Sequence, residues 1–142
     1  MSRISVDNYY LGIAKAVSRR SSCLRRQYGA VIVNNREIIA TGYNGGCRGD
    51  INCCDIGVCK RVGMTHNAGD YSECNSVHAE QNALLSASRK EMLGATLYLW
   101  GGENGTAIDS EPCPICKRMI KNAGIERVVC SEYPLSLLLD RL

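Results

Sequence analysis

Residues 95–130, ATLYLWGGENGTAIDSEPCPICKRMIKNAGIERVVC, carry the pattern that decides the fold class. The stretch opens with an apolar run, ATLYLW, that predicts a strand and leads into a Gly-rich loop over 101–111. Pro114 in a first turn and Gly124 as a stop predict a helix between them, and the run IERVVC predicts a second strand. A strand–helix–strand connection of this length joins parallel strands, so the stretch predicts an α/β fold.

The N-terminal segments add a helix and a hairpin to this unit. Apolar residues at helical spacing predict an amphipathic helix over residues 6–18. Two β-branched runs over 30–33 and 38–41, separated by Asn34-Asn35-Arg36, predict an antiparallel hairpin. An antiparallel hairpin beside a parallel crossover makes the predicted sheet mixed.

The middle of the chain loses periodicity and then regains it. Residues 42–76 show no helical or strand pattern and contain several cysteines, so we interpret them as a Cys-rich insertion. Helical spacing returns over 77–89, with Asn75 or Ser76 as its cap, and a last helix is predicted over 134–142. Without repeats or low-complexity segments, we expect a single domain over 1–142.

Composition and charge exclude several classes of protein. The chain has 142 residues, of which 45% are hydrophobic and 22% charged, as in one folded domain. Lys and Arg number 17 against 14 Asp and Glu, too small an excess to predict nucleic-acid binding. No secretory pattern opens the chain, and no apolar run approaches the ~18 residues of a membrane span. We therefore expect a cytoplasmic protein, in the host cytoplasm if viral, with neither nucleic-acid nor membrane partners.

The cysteine content points to metal ligands or catalytic thiols. Nine cysteines are too few for a secreted disulfide scaffold, and an odd number cannot pair completely. In a reducing compartment, clustered thiols more often bind metal or perform catalysis than form disulfides.

Two short motifs carry this chemistry, His78-Ala79-Glu80 and Pro112-Cys113-Pro114-Ile115-Cys116, each at the start of a predicted helix. Cys113 and Cys116 share one face of a helical turn, near an N-terminus that favours thiolate. With one imidazole they give three zinc ligands and leave the fourth tetrahedral position for water, as in a catalytic site. Glu80 can face that water without coordinating and carry its proton.

Each motif has a simpler interpretation when it stands alone. His78 would be a hydrogen-bonded core histidine, and the C-x-x-C pair a redox pair or a structural clip. A zinc-stabilised interaction module would use the same Cys and His residues structurally. Such a closed site has no use for a non-ligand carboxylate like that of Glu80.

The pairing of H-x-E with P-C-x-x-C is the known signature of zinc-dependent nucleobase deaminases, so this assignment matches a described pattern and is not an independent deduction. The sequence resembles the cytidine deaminase superfamily and, within it, the dCMP deaminase branch, over about residues 8–133. The motifs that carry the resemblance are Gly29-Ala-Val-Ile-Val33, Thr41-Gly-Tyr-Asn-Gly45, His78-Ala-Glu-Gln-Asn-Ala83, Gly94-Ala-Thr-Leu-Tyr98 and Asn122-Ala-Gly-Ile125. The resemblance implies a three-layer α-β-α cytidine-deaminase-like fold with a mixed sheet of four to five strands.

The resemblance also implies a reaction, the zinc-dependent hydrolytic deamination of dCMP to dUMP and ammonia, which supplies dUMP for dTTP synthesis. An activated water attacks C4 of the base, Glu80 protonates N3, and the exocyclic amine leaves. The corresponding substrate contacts are Asn44 at the sugar, Tyr133 stacked on the base, and Ala79. The simpler interpretation of Asn44 is a turn residue, and that of Tyr133 is a side chain packed on the surface.

The 5′-phosphate needs a basic partner, and a forked guanidinium suits it, so Arg25 or Arg26 is the candidate. A solvated charged connection is the alternative interpretation of these arginines. A deaminase of another cytosine or adenine substrate, either a nucleoside or transfer RNA, would use the same H-x-E chemistry. A nucleoside enzyme would not need the arginine, and an RNA enzyme would need stronger basic patches.

The resemblance further implies a homohexamer activated by dCTP and inhibited by dTTP, with Mg²⁺ accompanying the regulatory triphosphate. The residues associated with that regulatory site are Gly42, Tyr43, Asn44 and Gly45. No spacing in the sequence demonstrates this regulation.

Some members of the family carry a second, structural zinc. The corresponding ligands here are Cys23, Cys53, His66 and Cys74, with Cys54 and Cys59 as substitutes for any of them. A closed four-ligand site would order a loop that buries little apolar surface. Free buried thiols are the simpler interpretation.

Two features depart from the family pattern. The 101–111 loop is longer than the usual link before P-C-x-x-C, and we expect it to extend over the active site or a subunit contact. Relatives usually continue beyond the position of Leu142 into a fifth strand, so we expect a shortened sheet edge, covered by a neighbouring subunit.

Overall fold

A mixed β-sheet with helices on both faces organises the chain. The computed structural model describes residues 2–59 and 74–131, together with the backbone of 136–139. The helices of this described part are α1 (Val6–Ser18), α2 (Cys53–Ile56), α3 (Ala79–Leu85), α4 (Arg89–Met92) and α5 (Pro114–Ala123). Its strands are β1 (Gln27–Asn34), β2 (Glu37–Tyr43), β3 (Gly45–Gly46), β4 (Ser76–Val77), β5 (Thr96–Glu103), β6 (Thr106–Ala107), β7 (Arg127–Cys130) and β8 (Ser136–Leu139).

The main sheet has the strand order β2-β1-β5-β7-β8, and the short β6 pairs with β5. Strand β1 is antiparallel to both β2 and β5, whereas β5 and β7 are parallel and are joined through α5. The predicted hairpin and the predicted parallel crossover are therefore confirmed, and the sheet is mixed. A separate two-stranded ladder joins β3 to β4.

The sheet separates two apolar layers, as the alternation of its side chains requires. On one face, Ala30 and Ile32 of β1 pack with Leu97 and Leu99 of β5 against α3, α4 and α5. On the opposite face, Val31, Val33, Tyr98, Trp100 and Val129 pack against α1. This arrangement confirms the three-layer α-β-α fold.

A partly buried ion pair connects helix α1 to the sheet. The Asp7 carboxylate accepts hydrogen bonds from Arg127 Nη2 at 2.6 Å and Nη1 at 3.0 Å, and from the Tyr98 hydroxyl at 2.8 Å. The hydrogen bond from Arg127 lowers the pKa of the Asp7 carboxyl. The bidentate contact therefore fixes the first turn of α1 against β7.

The local end signals of two helices behave as predicted. Helix α1 spans the predicted residues, with the Ser5 hydroxyl accepting a hydrogen bond from the Asn8 N–H at 3.1 Å. Helix α5 begins at Pro114 and ends at Ala123. Gly124 caps it, with a φ of 90°, the left-handed conformation that glycine tolerates.

The helix predicted over 77–89 is shorter and divided. Ser76 and Val77 pair with Gly45 and Gly46 as a strand, so the helix cannot begin before His78. Helix α3 ends at Leu85, and Ser88 caps the separate helix α4 by accepting from the Glu91 N–H at 3.2 Å. Serine competes with the helical backbone for hydrogen bonds, which favours this break.

The helix predicted over 134–142 is wrong. Residues 136–139 form β8, antiparallel to β7. The physical reason is the edge of β7, whose backbone N–H and C=O groups a helix would leave unpaired and an added strand satisfies. The Cys-rich insertion over 42–76 stays a prediction, since residues 60–73 lie outside the described part.

No helix in the described ranges is both long enough and apolar enough to cross a membrane.

Close backbone contact at Gly42 places α3 on the sheet. A Cβ atom at Gly42 would lie 2.4 Å from the Ala83 N atom and 2.5 Å from the Ala79 O atom. These distances are too short for any side chain, so glycine at this position of β2 sets the distance between β2 and α3. Because α3 carries Ala79 and Glu80 in its first turn, this contact also sets the depth of both residues.

Gly42→Ala should lower the free energy of unfolding by about 1–3 kcal/mol, because the added methyl group forces α3 away from the sheet. Chemical denaturation followed by circular dichroism measures the change. Gly12→Ala is the matched control, since a Cβ atom at Gly12 meets nothing within 4 Å and alanine favours the helix. Equal stability of the two variants would contradict the packing role of Gly42.

Candidate active site and metal centre

The first turns of α3 and α5 bring the two predicted motifs together. His78 is the N-cap residue of α3, and Cys113 is the N-cap residue of α5. Gln81 links the two helices, because its Oε1 accepts from the His78 N–H at 3.0 Å and its Nε2 lies 3.9 Å from Met119 Sδ. The motifs are therefore neighbours because both helices start at the same end of one face of the sheet.

Three potential ligand atoms converge at this point. The side chains of His78, Cys113 and Cys116 place one donor atom each within 4.8 Å of one another. His78 Nδ1 lies 3.3 Å from Cys116 Sγ and 3.7 Å from Cys113 Sγ. Tetrahedral zinc with usual Zn–N and Zn–S bond lengths needs N···S separations of about 3.6 Å. The predicted group therefore fits zinc in both donor type and spacing.

The protonation of the group shows why it suits a cation. Hydrogen bonding by the Cys116 side chain, with help from His78, lowers the pKa of the Cys113 thiol to about 3. The same contact, with burial, raises the pKa of Cys116, and the hydrogen bond to Cys113 raises the pKa of His78. A thiol with a lowered pKa beside a second thiol and an imidazole favours a bound cation, and binding of a metal ion releases the protons of its ligands.

Glu80 lies against this group without belonging to it. Its side chain is buried, with 5% of the residue exposed, and burial raises the pKa of its carboxyl. The carboxyl is hydrogen-bonded to the Cys116 thiol. The charge of His78 lowers the pKa of the carboxyl, and that of Cys113 raises it. A buried carboxyl with a raised pKa beside a candidate metal group is suited to accept and release a proton near neutral pH.

A cleft of about 700 Å³, including its open side, lies next to these residues. Most of the predicted site residues line it, namely Cys23, Arg25, Arg26, Asn44, Cys74, His78, Ala79, Glu80 and Cys113. The structure therefore brings the candidate metal ligands and the candidate substrate contacts to one cavity.

Asn44 is 6% exposed, and its side chain already supports the cleft wall. Its Oδ1 accepts from the Tyr28 N–H at 2.8 Å, and its Nδ2 donates to the Arg26 C=O at 2.9 Å. The residue therefore fixes the backbone of the segment that carries the arginines. Its predicted contact with the sugar stays a prediction.

Tyr28 is a cleft residue that the sequence analysis missed. Burial raises the pKa of its phenol to about 12, so the hydroxyl keeps its proton. The ring needs Gly101, where a Cβ atom would lie 2.5 Å from Tyr28 Cε1. The signal was available in the sequence, since Tyr28 precedes Ala30 and Ile32 by even steps and so shares their face of the strand. The strand predicted from residue 30 begins at Gln27 in the structure and therefore includes Tyr28.

The loop before α5 also contributes unpredicted residues to the cleft, including Ser110 and Glu111. Ser110 is fully buried, and its hydroxyl donates to the Ser131 C=O and lies 3.2 Å from the Leu99 O atom. These contacts fasten the loop to the ends of β5 and β7. A single sequence offers no sign of such a contact between residues 21 positions apart.

Four further thiols lie near one another beside the cleft. Burial raises the pKa of Cys53, and the nearby Cys23, Cys59 and Cys74 thiols raise it further. Cys59 lines the cleft together with Cys23 and Cys74. Within the described ranges, the 4.8 Å ligand grouping is met by the His78, Cys113 and Cys116 set and not by these thiols. None of the nine cysteines, all of which lie in the described ranges, forms a disulfide bond.

Several predicted site residues lie elsewhere. His66 and Tyr133 lie outside the described residues, so their predicted roles stay predictions. Gly42 packs against α3, and the Tyr43 C=O accepts from Asn82 Nδ2 at 2.8 Å. Gly45 pairs with Val77 in the β3–β4 ladder. The proposed regulatory residues therefore connect β2 to the segment that precedes His78.

Comparison with known proteins gives consistent results. The family model described as "Cytidine and deoxycytidylate deaminase zinc-binding region" matches residues 4–132. The deoxycytidylate deaminase of Mycobacterium phage D29 is 43% identical over 140 residues, which cover 94% of this chain and 98% of that protein. The deoxycytidylate deaminase of Schizosaccharomyces pombe is 38% identical over 128 residues, which cover 89% of this chain but 37% of the yeast protein.

A solved structure resembles the chain as a whole. The apo dCMP deaminase of cyanophage S-TIM5 superposes with a TM-score of 0.68 at 28% identity, over 92% of this chain and 86% of that one. The same phage protein has been solved in complex with dCMP and dUMP. Because the family model spans both helix starts that form the candidate centre, the chain belongs to the cytidine and deoxycytidylate deaminase zinc-binding family.

Proposed function

We propose that this chain catalyses the hydrolytic deamination of dCMP to dUMP and ammonia, and so supplies dUMP for dTTP synthesis. The observation that carries the proposal is the buried Glu80 carboxyl, set against the His78, Cys113 and Cys116 group in a cleft that the candidate arginines also line. The relatives named deoxycytidylate deaminase, and the similar phage protein solved with dCMP and dUMP, support the choice of substrate.

His78, Cys113 and Cys116 are the residues that would hold zinc, as their donor types and separations fit that ion. When bound, zinc lowers the pKa of a coordinated water toward neutral pH and so supplies the nucleophile for hydrolysis. Cys113 is held as thiolate before metal binding, which gives the site its first charged ligand.

Glu80 is the proposed proton carrier. Its carboxyl accepts a proton from the attacking water and delivers it to N3 of the pyrimidine. It then takes the proton of the new C4 hydroxyl and gives it to the amine, which leaves as ammonia while the C4 carbonyl forms. Burial raises the pKa of the carboxyl and brings it closer to neutral pH, where a group that both accepts and donates protons works best. An interaction module would have no use for such a buried carboxyl.

The remaining substrate contacts follow the cleft wall. Arg25 or Arg26 would bind the 5′-phosphate, and Asn44 would contact the sugar while it supports the arginine backbone. Ala79 lies between the ligand His78 and Glu80 and would contact the base. Tyr133 is proposed to stack on the base from its position after β7.

We extend the proposal to regulation and assembly. The chain would form a homohexamer activated by dCTP and inhibited by dTTP, with Mg²⁺ accompanying the triphosphate at Gly42, Tyr43, Asn44 and Gly45. The family resemblance is the support for this part. The contacts of these residues with α3 and with β4 offer a physical connection to His78.

A second zinc ion is proposed at the thiols beside the cleft. Cys23, Cys53 and Cys74 are the predicted ligands on described residues, and His66 is the predicted fourth. The nearby Cys23, Cys59, Cys74 and Cys54 thiols all raise the pKa of Cys53, which supports a shared site and keeps Cys59 and Cys54 as alternative ligands. Cys74 precedes β4, so such an ion would order the approach to His78.

Glu80→Gln should abolish deamination while the protein keeps its zinc, because the amide cannot carry a proton but has nearly the same size. The expected loss is at least 10²-fold in kcat, followed by the fall in absorbance as cytosine becomes uracil. Glu91→Gln is the matched control, since Glu91 also lies in the first turn of a helix but is outside the cleft. Retention of wild-type kcat by Glu80→Gln would refute the proton-carrier role.

Ammonia release from dCMP, deoxycytidine, dCTP and transfer RNA should be fastest with dCMP. Addition of dCTP should stimulate that reaction, and addition of dTTP should inhibit it. A preference for deoxycytidine or transfer RNA would replace dCMP with one of the alternative substrates. Insensitivity to both triphosphates would contradict the regulatory proposal alone.

Metal analysis should find two zinc ions per chain. Changing both Cys53 and Cys74 to Ser should lower that number to one, because the second site then loses its thiolates while the first keeps its ligands. Changing Cys47 to Ser is the control for loss of an exposed thiol that is not a predicted ligand, and it should leave two ions. A wild-type content of one zinc would contradict the second site.

A further inference from the structure

The long loop predicted over residues 101–111 has no role in the proposed reaction, yet in the structure it includes the hairpin between β5 and β6. Glu103 pairs with Thr106 across β5 and β6. The turn residues Asn104 and Gly105 have φ values of 51° and 80°. Two successive left-handed residues with the sequence Asn-Gly are typical of a tight hairpin turn. The turn therefore fixes where Glu103 stands at the end of β5.

Glu103 reaches from this hairpin to the cleft wall. Its Oε1 accepts a hydrogen bond from Arg26 Nε at 2.7 Å. The Arg26 side chain is 24% exposed and that of Glu103 is 45% exposed, so the pair remains accessible to solvent. Arg26 lines the cleft, and Asn44 holds its backbone C=O. One arginine is thus held at both its backbone and its guanidinium.

The guanidinium has a second contact, with the Tyr28 hydroxyl, and this hydrogen bond and the one to Glu103 both raise the pKa of Arg26. An arginine in solution samples many rotamers and must lose that freedom when it binds a phosphate. A guanidinium that is already oriented loses less. Its terminal N–H groups form the fork that suits phosphate oxygens.

We propose that Glu103 is a positioning residue that holds the Arg26 guanidinium in the orientation that receives the 5′-phosphate of the nucleotide. The inference rests on the proposed function and selects Arg26, of the two candidate arginines, as the phosphate ligand. It also gives the long loop a purpose, which is to carry a carboxylate to the phosphate end of the cleft.

Two effects of Glu103 oppose each other, and the test must separate them. Its carboxylate orients Arg26, but its negative charge also repels a phosphate. Charges at this exposed position are screened by solvent and salt, which weakens the repulsion of a more distant phosphate more than it weakens the 2.7 Å hydrogen bond to Arg26 Nε. We therefore expect loss of orientation to dominate when the side chain is removed.

The experiment compares dUMP and deoxyuridine as competitive inhibitors of dCMP deamination by the full chain. Glu103→Ala should weaken inhibition by dUMP about fivefold, the scale of one part-exposed ion pair, and leave inhibition by deoxyuridine and kcat unchanged. Glu103→Gln keeps an oxygen that can accept from Arg26 Nε, so it should restore dUMP inhibition to within about twofold of wild type.

Glu91→Ala is the control for loss of an exposed carboxylate, since Glu91 is exposed and lies outside the cleft. We expect no change in the ratio of the dUMP and deoxyuridine inhibition constants. In an Arg26→Gln background, Glu103→Ala should have no further effect on dUMP inhibition, because the group that it orients is gone.

Three outcomes would overturn the inference. Tighter dUMP inhibition by Glu103→Ala would show that repulsion dominates, and equal weakening of both inhibitors would show a general structural role. Additive losses in the double variant would show that Glu103 acts through another residue. If the wild-type chain deaminates dCMP, any of these outcomes overturns the role of Glu103 and leaves the proposed function standing. If the wild-type chain does not deaminate dCMP, the proposed function itself is overturned.

Discussion

The convergence of His78, Cys113 and Cys116 is the constraint on which the rest of the site depends. Two thiols and an imidazole within 4.8 Å of one another need a compensating cation or shared protons, because a second thiolate beside Cys113 would be repelled. The raised pKa values of His78 and Cys116 and the lowered pKa of Cys113 are the consequence. Such an arrangement persists only if the surrounding fold holds the three side chains together. The packing of α3 and α5 on one face of the sheet does so, and Gly42 sets the depth of α3.

The local signals in the sequence were sufficient for most of the framework. Pro114 and Gly124 marked both ends of α5, and residues 6–18 marked α1, because capping and helical spacing involve near neighbours. The failures had distant causes. The pairing of Ser76 and Val77 with Gly45 and Gly46 delayed the start of α3, and the edge of β7 made a strand of residues 136–139. A single sequence does not state which backbone groups elsewhere in the fold remain unpaired.

The same distinction separates the predicted from the unpredicted part of the site. The grouping of His78, Cys113 and Cys116 could be predicted because zinc chemistry restricts both residue type and spacing, and two short motifs satisfied it. The wall of the cleft could not be predicted in this way. Tyr28 belongs to the wall because β1 begins at Gln27, and Ser110 belongs to it because its hydroxyl donates to the Ser131 C=O. Hydrogen bonds between distant segments use common residue types, so their partners have no distinctive pattern.

The two ends of the cleft follow different physical rules, and this difference explains why the arginine needs support. The role proposed for Glu80 depends on burial, which raises the pKa of its carboxyl, and the packed first turn of α3 holds its position. The role proposed for Arg26 requires it to stay accessible to a charged ligand, so packing cannot hold its position. A solvent-exposed arginine is held instead by directional contacts, here with Glu103, Tyr28 and the Asn44 amide. The hairpin that carries Glu103 thus restrains a side chain at the exposed end of the cleft, where the packed core cannot do so.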